Sequence, residues 1–144
     1  MQTLSADKIL HASCVCVEGK GVLILGKSGA GKSALALALM AYGAELVADD
    51  RVALRVEDGA VIASCPPTIA GLIEARGIGI LNAEYRPNVS LGLVIDLDEV
   101  SEERIQPRRL ITLLGCDLPL LHGVEGIHFA PAILQFLRAG RSNR

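Results

Sequence analysis

Apolar and polar positions alternate, cluster and break along this chain in a way that marks most of its elements. His11 to Glu18 alternates as a strand does, and Gly19-Lys20-Gly21 turns it into the fully apolar run Gly21-Val22-Leu23-Ile24-Leu25, which reads as a buried strand. Ser33 to Ala41 is a run of strong helix formers that should end near Gly43, and Glu45-Leu46-Val47-Ala48 is a short returning strand that stops at two acids, Asp49 and Asp50. Arg51 to Val56 and Ala60 to Ser64 form a predicted hairpin about Asp58-Gly59, and Pro66-Pro67 breaks the chain after it.

The second half is less regular. Ile69 to Leu81 carries Gly71, Gly77 and Gly79 around Glu74 and Arg76, too much glycine for a helix and too much charge for a core strand, so it is expected to be a structured, functional loop. Val89 to Leu97 is the next buried strand. Asp98 to Gln106 is charged and expected on the surface, and Leu110 to Leu121 is apolar around Pro119. A last helix is expected from Pro131 to Arg138, before Gly140 and a basic tail. Neither an internal repeat nor a low-complexity linker interrupts the series.

Composition narrows the picture. A chain of 144 residues has the length of one domain. Apolar residues make up 51% and aromatics only 3%, so the core must be aliphatic, as in helix-covered parallel sheets, and no aromatic platform for stacking bases stands out. The formal charge is −2, and no segment has the basic density that binding a nucleic-acid backbone requires. No apolar stretch is long enough to span a bilayer, and Met1 to Leu10 lacks a secretory pattern, so a cytoplasmic protein is expected. The four cysteines make no CxxC pair and are expected as reduced, buried thiols. A metal site from Cys14, Cys16 and His11 is a weak alternative that assumes all three share one strand face.

The chemistry is concentrated between the buried strand and the first helix. Gly26-Lys27-Ser28-Gly29-Ala30-Gly31-Lys32-Ser33 matches GxxxxGK[ST], in which backbone N–H groups and the positive end of the following helix surround phosphate oxygens. Lys32 would place a point charge on the outer phosphates, and the Ser33 hydroxyl would serve a magnesium ion bridging them. A ten-residue helix rises about 15 Å and a strand of four or five residues returns the same distance, so Asp49 and Asp50 should land beside the phosphates. There, one carboxylate can hold the cation or its water while the other takes a proton from an attacking hydroxyl. A solvated turn would also accommodate the pair. Leu93-Val94-Ile95-Asp96 competes for the metal, being the apolar run ending in Asp that ordinary phosphate-loop enzymes use. Glu74 is a third candidate acid; on its own it would rank as half of a surface ion pair with Arg76.

Taken in order, His11, the loop Gly26 to Ser33, Leu46-Val47-Ala48-Asp49-Asp50 and Ile73-Glu74-Ala75-Arg76-Gly77-Ile78-Gly79-Ile80-Leu81-Asn82 resemble the catalytic domain of bacterial HPr kinase/phosphorylases. The likeness covers roughly residues 8 to 138, in the short alphaproteobacterial form that lacks an amino-terminal regulatory domain. It implies an α/β fold: a single phosphate-loop domain like phosphoenolpyruvate carboxykinase, spanning residues 1–144, with a mixed sheet and flanking helices. It also implies an ATP- and Mg2+-dependent protein-serine kinase acting on the phosphocarrier protein HPr, regulating the phosphotransferase system and carbohydrate metabolism, and forming hexamers. By position, Asp50 would be the base, Lys32 would hold the transferring phosphate, Ser33 and Glu74 would bind magnesium with Asp49 nearby, and His11 would lie beside the phosphate. Arg104 would correspond to a family arginine, although as a member of Glu102-Glu103-Arg104 it also reads as plain surface charge.

The chain departs from the resemblance where the family's Pro-x-Arg-Pro-Gly stretch would fall. Leu118-Pro119-Leu120-Leu121-His122-Gly123 has no arginine, which argues against a phosphorolytic back-reaction. Ala34 also replaces an acid common in the family. Two other functions stay open on the residues alone: a small-molecule kinase using Asp96, and a nucleotide-dependent switch that contacts a partner through the basic tail.

Overall fold

The structure, a computed structural model, describes residues 8–144. Three short strands open it: β1 (Lys8–Leu10), β2 (Ala12–Val17) and β3 (Lys20–Leu25). The phosphate loop leads into α1 (Lys32–Ala41), and β4 (Glu45–Ala48) returns. The predicted hairpin is β5 (Val52–Glu57) and β6 (Ala60–Ser64). A 3-10 turn at Pro67–Ile69 follows the proline break. Then come β7 (Leu72–Ala75), β8 (Gly79–Asn82), β9 (Asn88–Val100), β10 (Arg109–Leu113), β11 (Cys116–Gly123) and α2 (Phe129–Ala139).

One mixed sheet runs β1-β5-β6-β9-β3-β2-β4, with β11 joining β9 and β10 joining β11. Among the described strand pairs, β3–β9 and β9–β11 are parallel and the rest antiparallel. Strand β9 is the hub. Its first residues pair with β6, its middle with β3 and its end with β11. The register with β3 slips by one residue between Gly21 and Val22, whose partners are Leu91 and Leu93, so Gly92 is the extra residue of a bulge. Side chains change face there: Val89, Leu91 and Val94 join one core cluster, Leu93 and Ile95 the other.

These two clusters explain why β2 and β3 are largely apolar on both faces. Val15, Val17, Val22 and Ile24 face α1 and α2, where they meet Ala36, Leu39, Phe129, Ile133 and Leu134. Ala12, Cys14, Cys16 and Leu23 face the other way, onto Val52, Leu54, Val61 and Ala63 of the β5–β6 hairpin. Each fully buried leucine here contributes about 1.5–3 kcal/mol relative to exposure. The sheet is mixed, as the resemblance implies, and not the all-parallel kind that the aliphatic composition suggests: among the described residues both helices pack on one face, and the sheet's own β5–β6 hairpin closes the other.

Four further expectations are revised. His11 lies on the surface between β1 and β2, while Cys14 and Cys16 are buried on the far side, so the suggested Cys/His metal site does not assemble. Residue 11 has the opposite strand parity to residues 14 and 16, which the one-face assumption overlooked. Burial also pushes the Cys14 thiol well above its ordinary range, keeping it protonated and inert. Most of the stretch 69–81 is the two-stranded β7–β8 hairpin, not a loop. Its Gly77 takes φ +91° in the turn, so that glycine shapes the hairpin rather than breaking a strand. Asp98 to Val100 continue β9. Helix α2 starts two residues before Pro131, which its first turn tolerates because the N–H missing there has no partner inside the helix.

Candidate active site

The phosphate loop hangs between the end of β3 and the start of α1, and Gly31 at the helix entrance has φ +100°, a conformation a side chain would strain. The Lys32 ammonium reaches back over the loop, donating to the carbonyls of Gly26 at 2.6 Å and Lys27 at 3.0 Å, and so keeps one donor for another acceptor. Asp98 anchors the loop's opening by accepting the Lys27 backbone N–H at 2.9 Å.

Geometry places Asp49 as the helix-and-return argument anticipates. It is 6% exposed, and its Oδ1 accepts both the Ser33 hydroxyl and the Ser13 hydroxyl at 2.6 Å. Its Oδ2 accepts the Glu74 backbone N–H at 3.1 Å, which ties the β7–β8 hairpin to the loop. Of the roughly four lone-pair positions of a carboxylate, three are filled from within the protein. Asp50 is its opposite. Its φ of +75° turns the side chain out of the strand, leaving it 72% exposed with the His11 Nδ1 at 3.9 Å from Oδ1.

A cleft of about 610 Å³ gathers the two halves, with Ser28, Gly29, Gly31, Lys32 and Ser33 on one wall and Asp50, Glu74 and Arg76 on the other. Ser13 lies directly beneath its floor, without solvent exposure. A smaller adjoining hollow brings Ser33, Asp49, Asp50 and Glu74 together from the side. Such a site offers oxygen donors of the kind a hard divalent cation takes. The Ser33 proton points at Asp49, which turns the hydroxyl lone pairs away from that carboxylate, and the Glu74 carboxylate is exposed in the same cleft. Among the described residues, no preformed cluster of three His, Cys, Asp or Glu ligands occurs.

Two candidates stand elsewhere. Asp96 pairs in register with Leu25 and accepts the Asp98 N–H at 2.9 Å, a contact within β9, and it does not line the cleft. Arg104 lines a separate groove with Ile105, His128, Phe129 and Arg141 against α2. Sequence reading missed Ser13 and Asp98. A serine in an otherwise apolar strand, sharing parity with Val15 and Val17, was a readable signal for the first; nothing in the pattern marked the second.

Known proteins resemble this chain over most of its length. The family described as HPr Serine kinase C-terminal domain matches residues 2–111. HPr kinase/phosphorylase 1 of Oceanobacillus iheyensis is 38% identical over 141 residues, covering 92% of this chain and 43% of that protein. HPr kinase/phosphorylase of Geobacillus thermodenitrificans is 40% identical over 131 residues, covering 82% of this chain and 42% of its own length. The chain therefore spans less than half the length of these curated relatives. Among solved structures, the Hpr(Ser) kinase/phosphatase from Coxiella burnetii superposes with a TM-score of 0.78 at 28% identity, over 91% of this chain and 94% of that one.

Proposed function

The chain belongs to the HPr serine kinase family through its C-terminal catalytic domain, and from that premise we propose that it transfers the terminal phosphoryl group of ATP to a serine hydroxyl of HPr. One observation carries the reading: an exposed carboxylate, Asp50, shares a single cleft with the phosphate loop. Phosphoryl transfer needs little covalent help from a protein, but it needs an aligned nucleophile, a base and positive charge.

Each residue then has a task. The loop N–H groups and Lys32 hold the phosphates and offset charge as it develops. Asp50 takes the serine proton as the new O–P bond forms and the bond to the ADP oxygen breaks, leaving ADP and phosphoserine. Ser33 and Glu74 would hold Mg2+, which supplies charge neutralisation on the phosphate oxygens when bound, and Asp49 orients Ser33 from behind. His11 stands beside Asp50, placed to keep that carboxylate aimed into the cleft. Arg104 has no part in this reading. We carry over no back-reaction, because Leu118–Gly123 lacks the arginine and lies in β11. Assembly into hexamers and a cytoplasmic location belong to the same proposal; no helix among the described residues is long and apolar enough to cross a membrane.

The test is direct. With γ-labelled ATP, Mg2+ and purified HPr, label should move to a serine of HPr. Label found only on free phosphate or on a metabolite would overturn the reading.

A further inference from the structure

Among the described residues, two polar side chains are buried in the apolar core, Ser13 and Asp49, and they are bonded to each other. Ser13 lies on β2, between β3 and the edge strand β4, its neighbours on the same face are Val15 and Val17, and valine would fill the position without leaving a hydroxyl to be satisfied. Its single hydrogen-bond acceptor is Asp49 Oδ1, the atom that also receives the Ser33 hydroxyl, both at 2.6 Å.

We infer that Ser13 is a positioning residue that acts through Asp49 to fix the Ser33 hydroxyl for a metal–nucleotide complex; this rests on the nucleotide-binding reading of the loop. Two donors on one oxygen leave Ser33 a single lone-pair direction on Oδ1, while the Glu74 N–H holds Oδ2, so the carboxylate plane cannot turn. The Ser33 proton is thereby committed to Asp49, and its lone pairs face the cleft. Without the Ser13 hydroxyl, Oδ1 has a free site, the Ser33 proton can wander between two directions, and the oxygen offered to a cation is no longer fixed.

The experiment separates this from packing. Ser13→Thr and Ser13→Val have nearly the same shape and differ in the hydroxyl, so any cost of the added methyl falls on both. Calorimetric titration of ATP is run with and without Mg2+ on wild type, Ser13→Ala, Ser13→Thr and Ser13→Val, with thermal midpoints recorded. The Mg2+ concentration that half-restores tight ATP binding should rise about tenfold in Ser13→Ala and Ser13→Val, the size typical of lost partners behind a metal ligand. Metal-free ATP binding should stay within about twofold across the set, and Ser13→Thr should follow wild type relative to Ser13→Val. Equal behaviour of the Thr and Val variants would overturn the inference, as would an equal loss of ATP binding with and without Mg2+. Because the readout is binding, a failure to phosphorylate HPr would leave this inference standing while removing the substrate proposal.

Discussion

Asp49 and Asp50 are joined by one peptide bond and live in opposite worlds. Asp49 is sealed in the floor of the cleft with three donors from three different elements, β2, α1 and β7. Asp50 stands on the lip, largely exposed, with one loose contact to His11. A carboxylate held by three donors is a fixed acceptor with little room for another partner, whereas one exposed beside the phosphate loop keeps its oxygens open to an incoming hydroxyl. The positive φ at Asp50 produces the contrast, because a continued strand would have buried this side chain or turned it to the far face. Adjacent residues of one type therefore divide structure from chemistry by backbone conformation.

Breaking that division should give the largest effect at Asp50. Asp50→Asn keeps the size and tolerates the left-handed backbone, so it isolates the loss of a base. Transfer to HPr should fall by about 10²–10⁴, the usual worth of a positioned base, while ATP affinity measured by calorimetry holds within about twofold. A variant that kept more than a tenth of the activity would sink the assignment.

Asp49→Asn should act on stability instead. Its amide oxygen can still receive the two hydroxyls, but its NH2 then faces the Glu74 N–H, donor against donor. Unfolding free energy in urea should drop by about 1–3 kcal/mol. An unchanged midpoint would mean the floor contributes no more than the lip.

How far this contrast could be read in advance depends on local rules. The loop, α1, the returning β4 and the Asp58-Gly59 hairpin follow from periodicity and turn chemistry, and together they carry Asp49 and Asp50 to the phosphate end of the sheet. What periodicity cannot give is the partner across space. Ser13 donates to a residue 36 positions away, and although a serine among apolar neighbours marks the position, nothing within β2 names the partner it meets. The glycines of the 69–81 stretch read as breakers, when one of them, Gly77, builds the β7–β8 turn. Nor does the two-sided burial of β2 say which element covers each face. That a hairpin of the same sheet folds over the non-helical side is a long-range choice that no local pattern announces.

A weaker effect is expected at His11. Its contact with Asp50 is long and exposed on both sides, and such pairs contribute little. His11→Gln should lower transfer by no more than about fivefold, leaving the thermal midpoint in place. A loss as deep as that of Asp50→Asn would place His11 within the reacting machinery and redraw the lip as a two-residue unit.

The smallest effect should come from Arg104, which tests where the site ends. The resemblance to the family counts it among the catalytic residues, yet it borders a groove of about 270 Å³ between the 104–106 segment and α2, floored by Leu121, Phe129, Ile133 and Phe136. No residue that lines this groove also lines the phosphate cleft. The groove is held by its own bonds: Gln106 pairs with both backbone groups of His122 and takes the Arg141 guanidinium on its carbonyl. Removing an exposed arginine from such a rim should shift stability by less than about 0.5 kcal/mol. Arg104→Ala should bind Mg2+–ATP within about twofold of wild type, as expected for a surface change away from the ligand. A tenfold loss of nucleotide affinity would mean that the 101–108 segment reaches the phosphates, and that floor and lip are joined by a third wall supplied by that segment.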